Sequence, residues 1–335
     1  MRTINAHDAI GEALAEEMRR DATVLAFGEG IATKRKALVD EFGKRRVRNT
    51  PLAEGIIAGT AAGAAATGLR PVVDLLFAPF MAFSMEEIVN SAGKLRFISG
   101  GQFSFPLVAM AMTGAGWSVG AQHNHNLEAW FVHSPGLKVV MPSTPADFKG
   151  LLKAAIRDDN PVVFFSDIGL LYVPGEVPDG DHVVPIGKAA TRRAGTDVTL
   201  VSYGKTVPSC LKAADALASD GISAEVIDLR SLKPWDEEAV LASVRKTGRL
   251  VVVHEASRTA GFGAEVAATV AEKAFDALRA PVVRLAGPDA PPAASYPLEQ
   301  AFVPQPDQIA LAARRLAGGP ARVSSPAPAL VASGA

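Results

Sequence analysis

Short, continuous apolar runs alternate with helix-patterned segments along most of the chain, and this alternation restricts the fold more than any other feature. The runs TVLAF (23–27), PVVDLLF (71–77), LVAMAM (107–112), LKVVM (137–141) and PVVFF (161–165) are rich in β-branched residues and have strand length. Helical spacing fills the intervals near 52–67, 84–97 and 145–157. A strand with one wet face alternates apolar and polar residues. These do not, so both faces of their sheet must be covered, which is the signature of a parallel sheet between layers of helices.

The pattern breaks once. LYVPGEVPDGDHVVPIGKA is rich in Pro, Gly and Asp, shows no period and reads as an interdomain linker. Beyond it the alternation restarts with DVTLVSY, a helix from Val207, SAEVIDL, a helix from Trp235, RLVVVH, a helix from Gly263, and PVVRLA. The fold class expected is therefore α/β, with two parallel-sheet domains over 1–174 and 191–317, a linker over 175–190 and an Ala/Pro/Ser tail over 318–335. A chain of 335 residues exceeds what one core usually organises, which agrees with two domains.

A formal net charge of −1 gives no general attraction to nucleic acid or to an anionic membrane. The single cysteine, Cys210, rules out an internal disulfide and a multi-cysteine zinc site, and points to a reducing, cytoplasmic setting. The apolar run 55–69 falls short of the roughly 20 residues that a spanning helix needs and consists of small side chains. It reads as a buried helix of a soluble protein.

That run raises the first functional question. Between Arg48 and Arg70 it carries one charge, Glu54. Pro51 is expected in the first turn of the helix, which puts Glu54 near the N-terminus, and Gly55, Gly59 and Gly63 recur every fourth residue as a smooth ridge open to a second backbone. The plain alternative is a helix on its own sheet with Glu54 as a solvated first-turn acid.

A second cluster is GAGWSVGAQHNHN, where a glycine-rich loop after a strand delivers His123 and His125 to the carboxyl edge of the sheet, where α/β proteins bind ligands. No third ligand stands at metal-site spacing, so a proton-exchanging or ligand-contacting histidine is the better reading. FGEG (27–30) ends a strand with Glu29 expected to be exposed at the same edge. GFGAEV (261–266) lacks the glycine order of a dinucleotide turn, and no P-loop or nucleophile elbow is present.

RVRNTPLAEGIIAGTAAGAAATGLRPVVDLLF, NSAGKLRF, QHNHNLEAWFVHSPGLKVVMPSTPADFKGLLKAAIRDDNPVVF and GFGAEVAATVAEKAF together resemble the beta subunit of the thiamine-diphosphate-dependent 2-oxoacid dehydrogenase component, the family that includes pyruvate, branched-chain 2-oxoacid and acetoin dehydrogenases. The resemblance implies a pyrimidine-binding domain followed by a transketolase-type C-terminal domain. It places Glu54 on the aminopyrimidine nitrogen of thiamine diphosphate, in a dry site, with Glu29 nearby and Leu76 and Phe80 packed on the ring. It makes His123 the active-site histidine facing substrate and an incoming lipoyl group. It further implies a structural potassium ion held by backbone oxygens of Leu107, Ala155, Asp158 and Asn160.

The G-D-G motif that would bind magnesium and the cofactor diphosphate is missing; DGDH at Asp179 lies in the linker. The resemblance therefore implies an alpha subunit, which holds the magnesium, in an α₂β₂ assembly that docks on a lipoyl acyltransferase core. Two stretches depart from the family pattern: the basic ATKRKALVDEFG after Gly30, and Asn124 and His125 where Ser and Gln are common. A non-catalytic assembly paralogue and an acetoin dehydrogenase beta subunit are the competing readings.

Overall fold

The computed structural model describes residues 1–318. Its centre is a seven-stranded sheet in the spatial order Ser231–Lys233, Lys138–Val140, Val162–Asp167, Val108–Thr113, Arg70–Phe77, Val24–Gly28, Val47–Asn49. Six of these strands come from the N-terminal half and pair in parallel. The seventh, Ser231–Lys233, comes from the C-terminal half and adds antiparallel at the edge. A second sheet of five strands has the order Val283–Gly287, Leu250–Ser257, Val198–Ser202, Ala224–Asp228, Ala190–Arg193, with only the last pairing antiparallel.

The continuous apolar strands are buried on both faces, as their composition requires. Val72 and Val73, neighbours in one strand, are both fully buried, each facing a different core cluster. One face is covered by the helices Ala6–Arg20 and Pro145–Arg157. Both start on side-chain caps: Asn5 accepts the Asp8 amide at 2.8 Å, and Thr144 accepts the Asp147 amide at 3.2 Å ahead of Pro145. Between these helices lie Lys149 and Lys153, only 1 % and 2 % exposed. Glu16 bonds both ammonium groups, at 2.6 and 2.5 Å, which offsets the cost of burying them.

Several expectations change. The helix of the glycine run spans Glu54–Ala66, so Pro51 lies outside its first turn. A Cβ at Gly55 would meet the carbonyl oxygen of Phe83 at 2.9 Å, and one at Gly59 would meet the Glu87 side chain at 3.3 Å. The ridge is thus filled by the chain's own following segment, and only Gly63 faces open space. The helix read over 84–97 is divided into a π-helical stretch, Glu86–Ala92, and an α-helix, Gly93–Ile98. The linker reading is also incomplete: Pro174–Val177 forms a strand with Arg2–Asn5. Of the tail read over 318–335, all but Gly318 lies outside the described residues.

The two halves share more than a strand. Arg192 bonds both Asp228 (2.7 Å) and Asp147, and Arg230 bonds Asp147 at 2.9 Å, so an acid of the N-terminal Pro145–Arg157 helix is clamped by two arginines from beyond the linker.

Candidate active site

The site forms at the carboxyl ends of the central strands, and a glycine makes it possible. Gly28 ends its strand at φ +141°, and a Cβ there would stand 2.2 Å from the carbonyl oxygen of Asp74. Only a residue without a side chain lets the two strands close this tightly. The Glu29 amide then donates to that same carbonyl at 2.9 Å, and the Thr50 amide donates to the Gly28 carbonyl at 3.0 Å. This brings the start of the Glu54–Ala66 helix over Gly28, so Glu29 and Glu54 lie side by side.

The burial of the two acids is the reverse of the sequence reading. Glu54 is only half-buried, whereas Glu29 is 4 % exposed and its Oε1 is buried without a hydrogen-bond partner. Burial, reinforced by the charges of Glu54 and Asp74 and opposed by Lys34, pushes the Glu29 carboxyl up to about 7. Burial and the neighbouring acids thus favour the protonated form of Glu29.

Beyond Asp74 the wall becomes aromatic. Leu76 has φ +61°, a left-handed value that costs energy for a branched side chain, and its amide is held by Asp74 Oδ1 at 3.0 Å. This turn sends the chain into Phe77 and Phe80. The His123 ring meets both edge-on, with centroids 4.9 Å from Phe77 and 5.1 Å from Phe80. His123 thus packs against Phe77 and Phe80, while Glu29 lies beside Glu54 and feels the charge of Asp74. His125 stands apart from the two phenylalanines; it is half-buried and burial pulls its pKa down.

The four residues of the implied potassium site lie elsewhere. Leu107 and Asn160 precede the strands Val108–Thr113 and Val162–Asp167, at the amino ends of the sheet, with Ala155 and Asp158 beside them. There Arg70 already donates to the carbonyls of Ile156 and Asp158, both at 3.0 Å, and Leu107 O accepts the Val162 amide.

Sequence reading passed over Asp74 and Phe77, whose spacing within PVVDLLF carries no motif. It also took the stretch after Gly30 only as a basic departure from the family pattern. The segment is a pair of short helices, Ile31–Lys34 and Lys36–Phe42, with Lys34 paired to Asp74 at 2.6 Å and Arg35 donating to the His7 carbonyl at 2.9 Å.

Two family descriptions match the chain: "Transketolase, pyrimidine binding domain" over residues 2–172 and "Transketolase, C-terminal domain" over residues 187–309. The chain is 43 % identical to the 2-oxoisovalerate dehydrogenase subunit beta of Bacillus subtilis (strain 168), covering 92 % of this chain and 97 % of that protein. It is 45 % identical to the pyruvate dehydrogenase E1 component subunit beta of Rhizobium meliloti (strain 1021), covering 92 % and 69 %. The chain belongs to the 2-oxoacid dehydrogenase beta-subunit family. A further relative, the acetoin:2,6-dichlorophenolindophenol oxidoreductase subunit beta of Bacillus subtilis (strain 168), is 41 % identical over 96 % of this chain and 99 % of its own length. Among solved structures, a split-gene transketolase described as an inactive beta4 tetramer superposes with a TM-score of 0.79 at 26 % identity, covering 94 % of this chain and 98 % of that one.

The pocket of this beta subunit suits the pyrimidine end of thiamine diphosphate. It offers a flat ring an apolar wall and offers a ring nitrogen a carboxyl group, with buried polar atoms on Glu29 and Thr50 still lacking partners. No G-D-G motif of the kind that holds magnesium and a diphosphate stands in the chain. Among the described residues, no helix is long and apolar enough to cross a membrane.

Proposed function

We propose that this chain supplies the aminopyrimidine half of a thiamine diphosphate site in a 2-oxoacid dehydrogenase component and works only with an alpha subunit. The observation that carries this reading is the placing of Glu29 beside Glu54, at the end of a strand adjacent to the one that leads into the Phe77–Phe80–His123 cluster. When bound, thiamine diphosphate supplies a nucleophilic carbon and an electron sink for decarboxylation.

This chain's residues prepare the site. Leu76 and Phe80 would hold the pyrimidine ring, and Glu54 would present its carboxyl to the ring nitrogen. Glu29, buried beside it with its carboxyl pushed up to about 7, would serve as a proton reservoir next to that carboxyl. His123, held edge-on between Phe77 and Phe80, faces the substrate and exchanges protons during acyl transfer to lipoamide. Magnesium belongs to the alpha chain, and a potassium ion at Leu107, Ala155, Asp158 and Asn160 would have a structural role. The lipoyl acyltransferase core is the acceptor of the assembled α₂β₂ enzyme.

The test is Glu54→Gln, nearly isosteric, in the assembled enzyme. Proton exchange at the thiazolium carbon of bound cofactor, followed by NMR, should slow by about 10²-fold or more. An unchanged exchange rate overturns the role of Glu54. A panel of pyruvate, branched-chain 2-oxoacids and acetoin, run on the wild-type pair, assigns the substrate.

A further inference from the structure

The segment that carries His123 has no regular secondary structure between Thr113 and Leu127, and it includes one backbone conformation that a residue with a side chain disfavours. Gly114, Gly116 and Gly120 have φ values of +83°, +149° and +83°, and Ser118, with a side chain, stands at +53°. Such a conformation persists only where its surroundings impose it. The main anchors come from the C-terminal half. Glu255 accepts the Ala115 amide at 2.5 Å, Lys205 donates to the Ala115 carbonyl, and the two pair at 3.1 Å. Further along, a Cβ at Gly120 would stand 3.3 Å from the Ala294 Cβ.

The decisive anchor is Glu299, in the Tyr296–Phe302 helix, with 0 % exposure. Its Oε1 accepts the amides of Gly116 and Ser118, both at 2.9 Å, and the Asn124 Nδ2 at 2.8 Å. Its Oε2 accepts the Ser118 hydroxyl at 3.2 Å. Among the described residues no cation pairs with it. A buried carboxylate without a cation is tolerated only when hydrogen bonds satisfy it, and all four of these donors belong to the His123 segment. The carboxylate is thus compensated only when the segment holds this shape, and Asn124, its last donor, is the residue next to His123.

We propose that Glu299 is a positioning residue: by gathering Gly116, Ser118 and Asn124 on one carboxylate it fixes His123 between Phe77 and Phe80, so the C-terminal half sets the geometry of the active-site histidine. This inference rests on the reading of His123 given above.

The experiment is a double-mutant cycle in the assembled enzyme with Glu299→Ala, His123→Ala and both together, measured as kcat for 2-oxoacid oxidation with cofactor affinity recorded in parallel. Glu299→Ala should lower kcat on the order of tenfold or more with little change in cofactor affinity, and should add nothing in the His123→Ala background. Glu299→Gln, which keeps an oxygen for the three N–H donors, should recover most of the rate. Histidine-selective NMR of the full chain should show the His123 signal shifted by Glu299→Ala while the signal of His254, buried in the C-terminal half, stays in place. If Glu299→Ala prevents assembly, Asn124→Ala and Ser118→Ala carry the same cycle one donor at a time. Additive losses, or an unimpaired Glu299→Ala beside an impaired His123→Ala, overturn the positioning role alone. A fully active His123→Ala removes the reading of His123, and the positioning role with it.

Discussion

Glu29 and Glu54 divide one task by burial. Glu29, closed off from water, is the one whose burial favours the protonated form, whereas Glu54 is half-exposed. This has a consequence for stability that can be read without any cofactor. Glu29 has a folded-state pKa of about 7, above its ordinary value of 4.5, so between these limits the folded chain binds more protons than the unfolded one. Its contribution is most favourable at low pH and is lost as pH rises from 4.5 through about 7. Glu29→Gln removes that dependence. Denaturation of the isolated chain should show Glu29→Gln gaining on wild type as pH rises from 5 to 8, by up to about 3 kcal/mol at the top of the range. A constant difference across that range would mean that Glu29 does not titrate there. At this scale Glu54 was legible, because a lone charge in a run of Gly, Ala and Thr needs a reason. Glu29 was singled out at its strand end but read as exposed: flanking glycines made it look like a loop residue, and sequence does not place beside it the Asp74 carbonyl that takes its amide.

At the scale of elements, the two ends of the glycine ridge behave oppositely. Gly55→Ala pushes a methyl group against the Phe83 carbonyl, and backbone cannot yield as a side chain can; a loss of about 1–3 kcal/mol is expected despite the better helix propensity. Gly63→Ala meets nothing and should gain up to about 1 kcal/mol. Chemical denaturation of both variants of the isolated chain checks the pair. Equal effects would show that the Phe83 contact does not limit the helix. The central strands were legible because continuous apolar runs admit few alternatives. The edge strands Ser231–Lys233 and Ala190–Arg193 were not, being short and carrying Lys and Arg that mimic loop composition. The glycine ridge was seen, but its occupant was misjudged, since sequence cannot distinguish a partner's backbone from the chain's own next turn.

For the whole molecule, the proposed function makes the site half a site. Around Glu54 the side chains of Leu52, Ile56 and Phe83 are 76 %, 74 % and 72 % exposed, an apolar patch at the rim of the pocket. The isolated chain should bind thiamine diphosphate with magnesium poorly in calorimetric titration and gain both affinity and turnover on adding an alpha subunit. Ile56→Asp should block that gain while leaving the thermal unfolding of the isolated chain within about 0.5 kcal/mol of wild type, as for other surface changes. Turnover by this chain alone would overturn the two-subunit reading.

The strand Ser231–Lys233 crosses from one half of the chain to seal the edge of the other half's sheet. A gene fission in the irregular stretch before Ala190 would therefore not release two free modules. Each product would display an orphan edge or an orphan ribbon, and the two would find each other by trading that strand in trans. The connecting peptide sets how often the halves meet, while the strand, together with the Arg192 and Arg230 bonds to Asp147, sets whether they recognise each other.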